Sequence, residues 1–372
     1  MTKALTLIAP EIAPAWRQAI AERSSRWPHL ARLGGRGSIR SLPPPSGGLR
    51  SWQIALLDAL GIDNHAQFPS AAVTRTGDSG EPVRDFWLQL QPMHFIAGLD
   101  RLTAMLLHGS NGVARAELAQ LEPTIGAHLR TAGMHLVTTS QNGWLARSER
   151  TLDVQTATPE TAAAIPLEQA MPQGRAAPEL RRLMTELQML LHEHPVNVAR
   201  LRRGVPEINA VWFYGAGEIR NLQRYALPQA FGDDLYLRGI YRLNDGEVTA
   251  APPDAQALLA RLRSRAVAVV AADDIDALEA AWIAPLSRAL AAGALARLEI
   301  VIDRCAVSVG RASLLKFWRG QRAPAEWVGC LIGRSAAATL WTAKRLQVTC
   351  IRCCDACTRL AASASRASST SA

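Results

Sequence analysis

Residues His192–Gly217 read HEHPVNVARLRRGVPEINAVWFYGAG, and this stretch decides the fold class. Pro195 ends the helix that precedes it, because the residue before a proline is driven out of the helical region. Gly204 permits a reversal of the backbone, and the apolar run Ile208–Tyr214 is typical of a buried strand. The segment therefore predicts a helix, a polar turn and a strand that ends in two glycines.

The predicted strand carries polar groups toward a place where ligands commonly bind. In open α/β sheets, ligand crevices form at the carboxyl ends of the strands, and Gly215 and Gly217 follow such a strand. The imidazoles of His192 and His194, the amide of Asn197 and the guanidinium of Arg200 could together hold a phosphate or a carboxylate. The alternative is structural: the same side chains cap the helix end and satisfy turn carbonyls, and the glycines only make a tight turn.

The flanking sequence alternates between helical and strand patterns. Leucines at intervals of three and four predict a helix over Pro178–His194, and this alternation favours an α/β domain with a largely parallel sheet. The elements predicted after this helix are helices over Pro253–Ser264 and Asp276–Ala292, and strands over Ala266–Ala272, Arg297–Ile302 and Ala306–Val309.

The first half of the chain is less regular. Its predicted strands are 4–9, 86–90, 134–138 and 143–147, and its predicted helices are 52–60 and 116–132. Residues 34–50 are rich in Gly and Pro and predict a flexible loop, whose Gly-Gly-Arg-Gly run follows no strand and is a poor phosphate cradle. We divide the chain into an N-terminal α/β region (1–152), a linker or surface loop (153–178), a second α/β region (179–327) and a tail (328–372).

Composition indicates an ordinary globular protein. Of the 372 residues, 48% are hydrophobic and 20% are charged, and no run approaches the ~20 apolar residues of a membrane span. We therefore expect a cytoplasmic protein without a membrane partner. The formal net charge is +9, but residues 331–372 hold six basic residues and one acid, so most of the excess lies in the tail. Nucleic acid is thus a disfavoured partner, and the sequence does not indicate the oligomeric state.

The His192–Gly217 segment resembles archaeal-type cofactor-independent phosphoglycerate mutases, and more closely the RpfE-type regulatory proteins of proteobacteria. The resemblance lies in the helix leading into His-Glu-His-Pro and in the strand from Asn209 through Trp212 to Gly217, with looser similarity over 87–145 and near Trp318. Tyr214 and Ala216 replace the family's usual Trp and Gly. The resemblance implies a degenerate α/β fold of the alkaline phosphatase superfamily, with a mixed sheet flanked by helices. It adds Asn209 and Trp212 to the candidate ligand-binding residues.

The family's chemistry requires residues that this chain lacks. The mutases use two metal ions, a Ser or Thr nucleophile, and Asp and His ligands, several of them late in the catalytic domain. All eight histidines of this chain precede residue 195, and it contains no Asp-His pair. Asp273-Asp274, the best remaining acidic pair, is typical of a helix cap. We expect a non-catalytic regulatory protein that has no cofactor and binds a phosphorylated or acidic small molecule. The alternative is an active metal-dependent mutase.

The tail carries the pattern Cys350-x-x-Cys353-Cys354-x-x-Cys357. Cysteines two residues apart suit a metal or an iron–sulfur cluster, but the two pairs adjoin without a loop between them. The surrounding Ala, Ser and Thr residues cannot form a core. Three interpretations stay open for this segment: a non-native reading frame that begins near Val328, a disordered tail, or a metal site.

Overall fold

The computed structural model describes residues 3–10, 26–98, 101–272, 274–302, 304–315, 318, 320–322 and 324. The predictions for the tail 328–372, including the four cysteines Cys350, Cys353, Cys354 and Cys357, lie outside the described residues. So does Asp273.

Strands and helices are numbered in chain order among the described residues. The strands are β1 (Ala4–Ala9), β2 (Ser38–Ser41), β3 (Phe86–Ala97), β4 (Leu102–Leu106), β5 (Met134–Thr138), β6 (Trp144–Ser148), β7 (Ala210–Gly217), β8 (Gln229–Phe231), β9 (Arg265–Val269), β10 (Arg297–Ile302) and β11 (Cys305–Gly310). The helices are α1 (Pro28–Arg36), α2 (Ser51–Leu60), α3 (Ser70–Ser79), α4 (Arg115–Thr131), α5 (Pro159–Ala164), α6 (Leu167–Ala170), α7 (Ala177–His192), α8 (Pro195–Arg202), α9 (Leu235–Leu243), α10 (Ala255–Arg261), α11 (Ile275–Leu278), α12 (Ala284–Ala291) and α13 (Arg311–Leu314).

A mixed sheet forms the larger of the two layers of strands. Its order is β2-β11-β10-β1-β9-β8, in which β10, β1, β9 and β8 are parallel, whereas β11 and β2 are antiparallel to their neighbours. Leu5 and Leu7 of β1 pack with α1, α10 and α12 on one face, and Ile8 packs with α2 and α9 on the other. A strand that is buried on both faces needs such a continuous apolar run. The predicted α/β fold, a mixed sheet flanked by helices, is confirmed.

The second sheet is entirely antiparallel and is organised around the long strand β3. One edge of β3 pairs with β7; the other pairs with β6 along Phe86–Leu90 and with β4 along Met93–Ala97, and β5 extends the sheet beyond β6. Helices α4 and α7 cover it with leucines spaced along their buried faces.

The prediction of a largely parallel sheet after residue 178 is wrong for the strand that ends in Gly215 and Gly217. This strand, β7, lies antiparallel to β3, with Trp87 opposite Gly217 and Met93 opposite Ala210. A buried apolar run does not reveal its partner strand, because parallel and antiparallel strands can carry the same residues.

The sheets also do not follow the boundaries 1–152, 153–178 and 179–327. The strands of the mixed sheet come from 4–41 and 229–310, and all strands of the antiparallel sheet come from 86–217. The expected linker 153–178 contains α5 and α6, and it buries Ala162 and Leu167 in the core of the antiparallel sheet. Its short alanine-rich helices pack on the sheet although their composition is typical of a loop.

Two local predictions are corrected as well. Gly34 and Gly35 are not in a loop, since they belong to the last turns of α1. The polar turn expected after Pro195 is helix α8, because proline is favourable in a first helical turn. The strands predicted over 134–138 and 143–147 are confirmed as β5 and β6, and Asn142 in the turn between them adopts the left-handed conformation at φ 62°.

Helix α3 joins the two sheets. It lies against β3 and β7 on one side and against α9, which covers the mixed sheet, on the other. A Cβ atom at Gly77 would overlap the carbonyl oxygen of Leu235, and one at Gly239 would overlap that of Val73. The two helices can approach this closely only because glycine occupies both positions.

No helix among the described ranges is long and apolar enough to cross a membrane.

Candidate functional site

His194 is the N-cap of α8. Its Nδ1 atom accepts a hydrogen bond from the backbone N–H of Val196 at 3.3 Å, and its Nε2 atom lies 3.4 Å from the Thr124 hydroxyl on α4. Accepting at Nδ1 requires that atom to be unprotonated. Burial lowers the pKa of His194 below its ordinary value, which favours the neutral ring that the cap needs.

Asn197 is fully buried and bridges two elements. Its Nδ2 group donates to the carbonyls of Leu191 at 2.7 Å and Ile208 at 2.9 Å, and its Oδ1 atom accepts from the N–H of Ile208 at 2.8 Å. It therefore fastens the end of α7 to the chain entering β7. Both amide hydrogens are already used within the fold.

Arg200 is also buried, with 1% of its surface exposed. Its Nε atom donates to the Pro206 carbonyl at 2.7 Å, and its Nη2 atom donates to the Asn111 carbonyl at 2.8 Å. Its Nη1 atom donates to Gly112 O at 3.1 Å and to Glu117 Oε2 at 2.7 Å. The guanidinium thus holds three separate segments together and presents no surface to an external anion.

Glu117 completes this buried charge cluster at the start of α4. It accepts from Arg200 and Arg203 and from the backbone N–H of Ala114 at 2.9 Å. Burial acts to raise the pKa of Glu117, but the Ala114 N–H and the guanidiniums of Arg203 and Arg200 outweigh it, so the pKa lies below its ordinary value. The carboxylate is therefore ionised and paired.

Asn209 and Trp212 serve the antiparallel sheet. The Asn209 side chain accepts from the N–H of Phe95 at 2.6 Å and donates to its carbonyl at 2.9 Å, which extends the ladder between β7 and β3 by one pair. The indole N–H of Trp212 donates to the Ala157 carbonyl at 2.8 Å, and this ties β7 to the segment before α5.

The two glycines permit a close approach rather than a ligand crevice. A Cβ atom at Gly215 would lie 2.9 Å from the Cβ of Ser70, and one at Gly217 would crowd Pro69. Gly215 also has a φ of 63°, a conformation that favours glycine. The end of β7 is thus occupied by the start of α3.

Of the predicted set, only His192 and Asn209 meet at an open surface. They line a shallow cleft of about 520 Å³ together with Glu193 and Glu207. Two carboxylates, with no lysine or arginine among the described lining residues, suit an anion poorly. A ligand-binding role for the eight predicted residues stays a prediction, and the bonds described above give Asn197, Arg200, Asn209 and Trp212 structural roles.

A second cleft, of about 600 Å³, has the charge that the predicted segment lacks. It lies between α1, α12 and α13, and its cationic and imidazole side chains are His29, Arg32, Arg36, Arg288 and Arg311. Among the residues that the structure describes, none that lines it is acidic. Burial lowers the pKa of His29, and the charges of Arg32 and Arg288 lower it further, so the ring is biased toward its neutral form.

The base of this arginine cleft is held rigidly. The carboxylate of Glu279 accepts from the backbone N–H groups of His29 at 2.7 Å and Leu30 at 3.2 Å, at the first turn of α1. Burial raises the pKa of Glu279, whereas the two backbone bonds lower it, and the net direction is upward. The same end of α1 is fixed by the Trp27 indole, which donates to Asp276 at 2.8 Å.

Sequence reasoning missed this cleft because its arginines are distant in sequence. Arg32 and Arg36 follow each other by one helical turn, but Arg288 and Arg311 reach them only through the topology of the mixed sheet. The local signal is the positive charge of Arg32 and Arg36, and part of that segment falls within the loop predicted over 34–50.

Metal-binding groups are dispersed. Among the described residues, no three His, Cys, Asp or Glu side chains gather at one point. Several histidines each face a single carboxylate: His65 and Asp58 at 3.0 Å, His128 and Glu186 at 2.9 Å, His135 and Glu149 at 2.8 Å. Asp274 caps α11 by accepting from Ala277 N–H at 2.6 Å, which confirms the predicted cap for that residue.

Solved structures similar to this chain include two from archaea. The cofactor-independent phosphoglycerate mutase from Thermoplasma acidophilum DSM 1728 is 12% identical, with 86% of this chain and 93% of that chain covered and a TM-score of 0.41. The PH0037 protein from Pyrococcus horikoshii is 14% identical, with 83% and 88% covered and a TM-score of 0.38. No protein-family model and no curated protein matches the chain. Likeness at this level assigns no activity to any residue.

Proposed function

We propose that this chain is a non-catalytic regulatory protein of the RpfE type, with a phosphoglycerate-mutase-like fold, that responds to a phosphorylated or acidic small molecule. The observation that carries the proposal is the internal use of the mutase-like segment. Asn197 and Arg200 bond to carbonyls and a carboxylate of the fold itself, and Asn209 and Trp212 bond to backbone. The segment that carries the resemblance acts as a scaffold.

A scaffold role is compatible with the resemblance, because a fold outlasts the chemistry that relatives perform on it. Helix α8 and strand β7 need Asn197 and Arg200 for stability, whether or not a substrate binds. The acidic ligand then requires another site, and the arginine cleft supplies the opposite charge.

The test is a phosphoglycerate mutase assay on the full chain with added Mn²⁺ or Mg²⁺, run in parallel with a chelator. We expect no interconversion of 3- and 2-phosphoglycerate above the chelated control. Metal-dependent turnover that the chelator abolishes would overturn the proposal and establish the alternative, an active mutase. An inactive point variant is not needed, because the chelated sample is the matched control.

A further inference from the structure

The arginine cleft lies at the end of the mixed sheet where the parallel strands begin. The usual ligand crevice lies at the opposite end of the strands. β11 runs antiparallel to β10, with Gly310 opposite Arg297, the first residue of β10. Helix α13, which starts at Arg311, therefore lies where the parallel strands begin. Ligand crevices of open α/β sheets form where those strands end, so the cleft is separate from such a crevice and from the His192–Gly217 segment.

The charge of the cleft is uncompensated by the described acidic residues. Arg32, Arg36, Arg288 and Arg311 form no ion pair with any carboxylate in the described ranges. Like charges held close together repel one another, and a bound anion removes that repulsion. Guanidinium groups also present planar pairs of donors that match phosphate oxygens.

The arginines are positioned by the fold. Arg36 donates from Nη1 to the Leu314 carbonyl at 3.0 Å, which links α1 to α13. The Arg311 side chain packs across the turn at Gly293, where a Cβ atom would come within 2.9 Å of the guanidinium carbon. Such preorganisation lowers the entropy lost when an anion binds.

His29 adds a further unfilled hydrogen-bonding group. Its Nδ1 atom is buried, and no described atom bonds to it. Its backbone N–H is held by Glu279, which fixes the main chain of His29 at the cleft. Buried polar atoms are normally paired in native proteins, so the His29 ring has a hydrogen bond to gain by turning toward a ligand in the cleft.

The dimensions and the apolar wall indicate what kind of anion fits. A volume of about 600 Å³ lies within the ~300–1,000 Å³ of sites that hold whole organic molecules. Ser287 and the apolar residues Ala291, Ala312, Leu314 and Leu315 line the rest of the cleft, and Leu315 is 72% exposed. An inorganic phosphate or a three-carbon phosphoglycerate would leave this apolar surface in water.

We propose that the cleft between α1, α12 and α13 binds an organic phosphate of nucleotide size. Arg32, Arg36, Arg288 and Arg311 hold the phosphate oxygens, and the organic part lies on Leu314 and Leu315. The proposal rests on the proposed function only in sharing an acidic ligand; it adds where that ligand binds and how large it is.

The test is isothermal titration calorimetry of the full chain with three probes: ADP, inorganic phosphate and adenosine. We expect ADP to bind at least about tenfold more tightly than either half-probe, since it alone supplies both charge and an organic body. Equal affinity for ADP and inorganic phosphate would overturn the size argument. Displacement of ADP by a short single-stranded RNA at lower concentration than by free nucleotides would overturn the small-molecule assignment.

Matched variants locate the site. Ala291→Glu places a carboxylate among the arginines at an exposed helical position, and Ala199→Glu makes the same change on α8, far from the cleft. We expect Ala291→Glu to weaken ADP binding about tenfold or more without lowering the melting temperature, and Ala199→Glu to bind normally. The same contrast is expected between Arg288→Gln and Arg261→Gln. Equal ADP affinity in both members of each pair would overturn the proposal.

The two proposals fail in different ways. Metal-dependent mutase turnover with intact ADP binding would contradict the non-catalytic function and leave the proposed binding site in the arginine cleft standing. Equal ADP affinity of Ala291→Glu and Ala199→Glu, in a chain without mutase turnover, would contradict only the proposed binding site.

Discussion

At the scale of single residues, the buried pair of Arg200 and Glu117 is the most consequential contact of the His192–Gly217 segment. We expect Arg200→Ala to lower the free energy of unfolding by about 3–5 kcal/mol, because it removes the buried partner of Glu117 and leaves three backbone carbonyls without their donor, with only the exposed Arg203 still paired to Glu117. The matched control is Arg202→Ala, two residues along the same helix and exposed, which should change stability by less than about 0.5 kcal/mol. Urea denaturation monitored by tryptophan fluorescence measures both. Similar losses in the two variants would contradict the structural role of Arg200.

The N-cap His194 gives the fold a pH dependence. Its pKa is lowered in the folded state, so the unfolded chain takes up the proton first as the pH falls below about 6.5. The stability contributed by the neutral ring is present above that pH and is lost between it and the lower folded pKa. We expect His194→Asn, which puts a capping oxygen in place of Nδ1 and cannot titrate, to lose less stability than wild type between about pH 7 and pH 5. Denaturant midpoints at both pH values test this, and parallel curves would contradict it.

At the scale of elements, the crossing of α3 and α9 decides how the two sheets are joined. We expect Gly77→Ala and Gly239→Ala each to destabilise the protein by about 1–3 kcal/mol or more, since the new methyl group overlaps a backbone carbonyl of the other helix. Gly126→Ala is the matched control on α4, where a Cβ atom meets only ordinary contacts at 3.7 Å or more. It should be neutral or stabilising by up to ~1 kcal/mol, because alanine is the better helix former. Thermal melts of the three variants compare the effects, and a destabilising Gly126→Ala would show that helix propensity and open space do not govern these sites.

At the scale of the whole molecule, the sequence predicts elements far better than it predicts their partners. The helix predicted from the leucine spacing of α7 and the two short strands predicted on either side of Asn142 depend on local patterns, and both predictions are confirmed. The pairing of β7 with β3 joins positions more than a hundred residues apart, and no local pattern encodes it. The sequence does not predict the arginine cleft for the same reason. It does single out Asn197 and Arg200 as polar residues, but their side chains bond to groups within the fold.

The chain topology leads to a final expectation. The antiparallel sheet and its core come from one continuous stretch, 86–217, and the ends of that stretch adjoin because Trp87 pairs with Gly217. A segment that contains a complete hydrophobic core and whose two ends lie close together can fold on its own. We therefore expect a fragment of residues 84–219 to unfold cooperatively on heating and to give dispersed amide NMR signals, at a lower melting temperature than the full chain because α3 no longer covers Trp87 and Leu145. The same fragment carrying Trp212→Ala should lose the cooperative transition. That change leaves a cavity at the centre of the core and lowers the free energy of unfolding by about 3–5 kcal/mol. A parent fragment without a cooperative transition would show that the antiparallel sheet depends on the mixed sheet to fold.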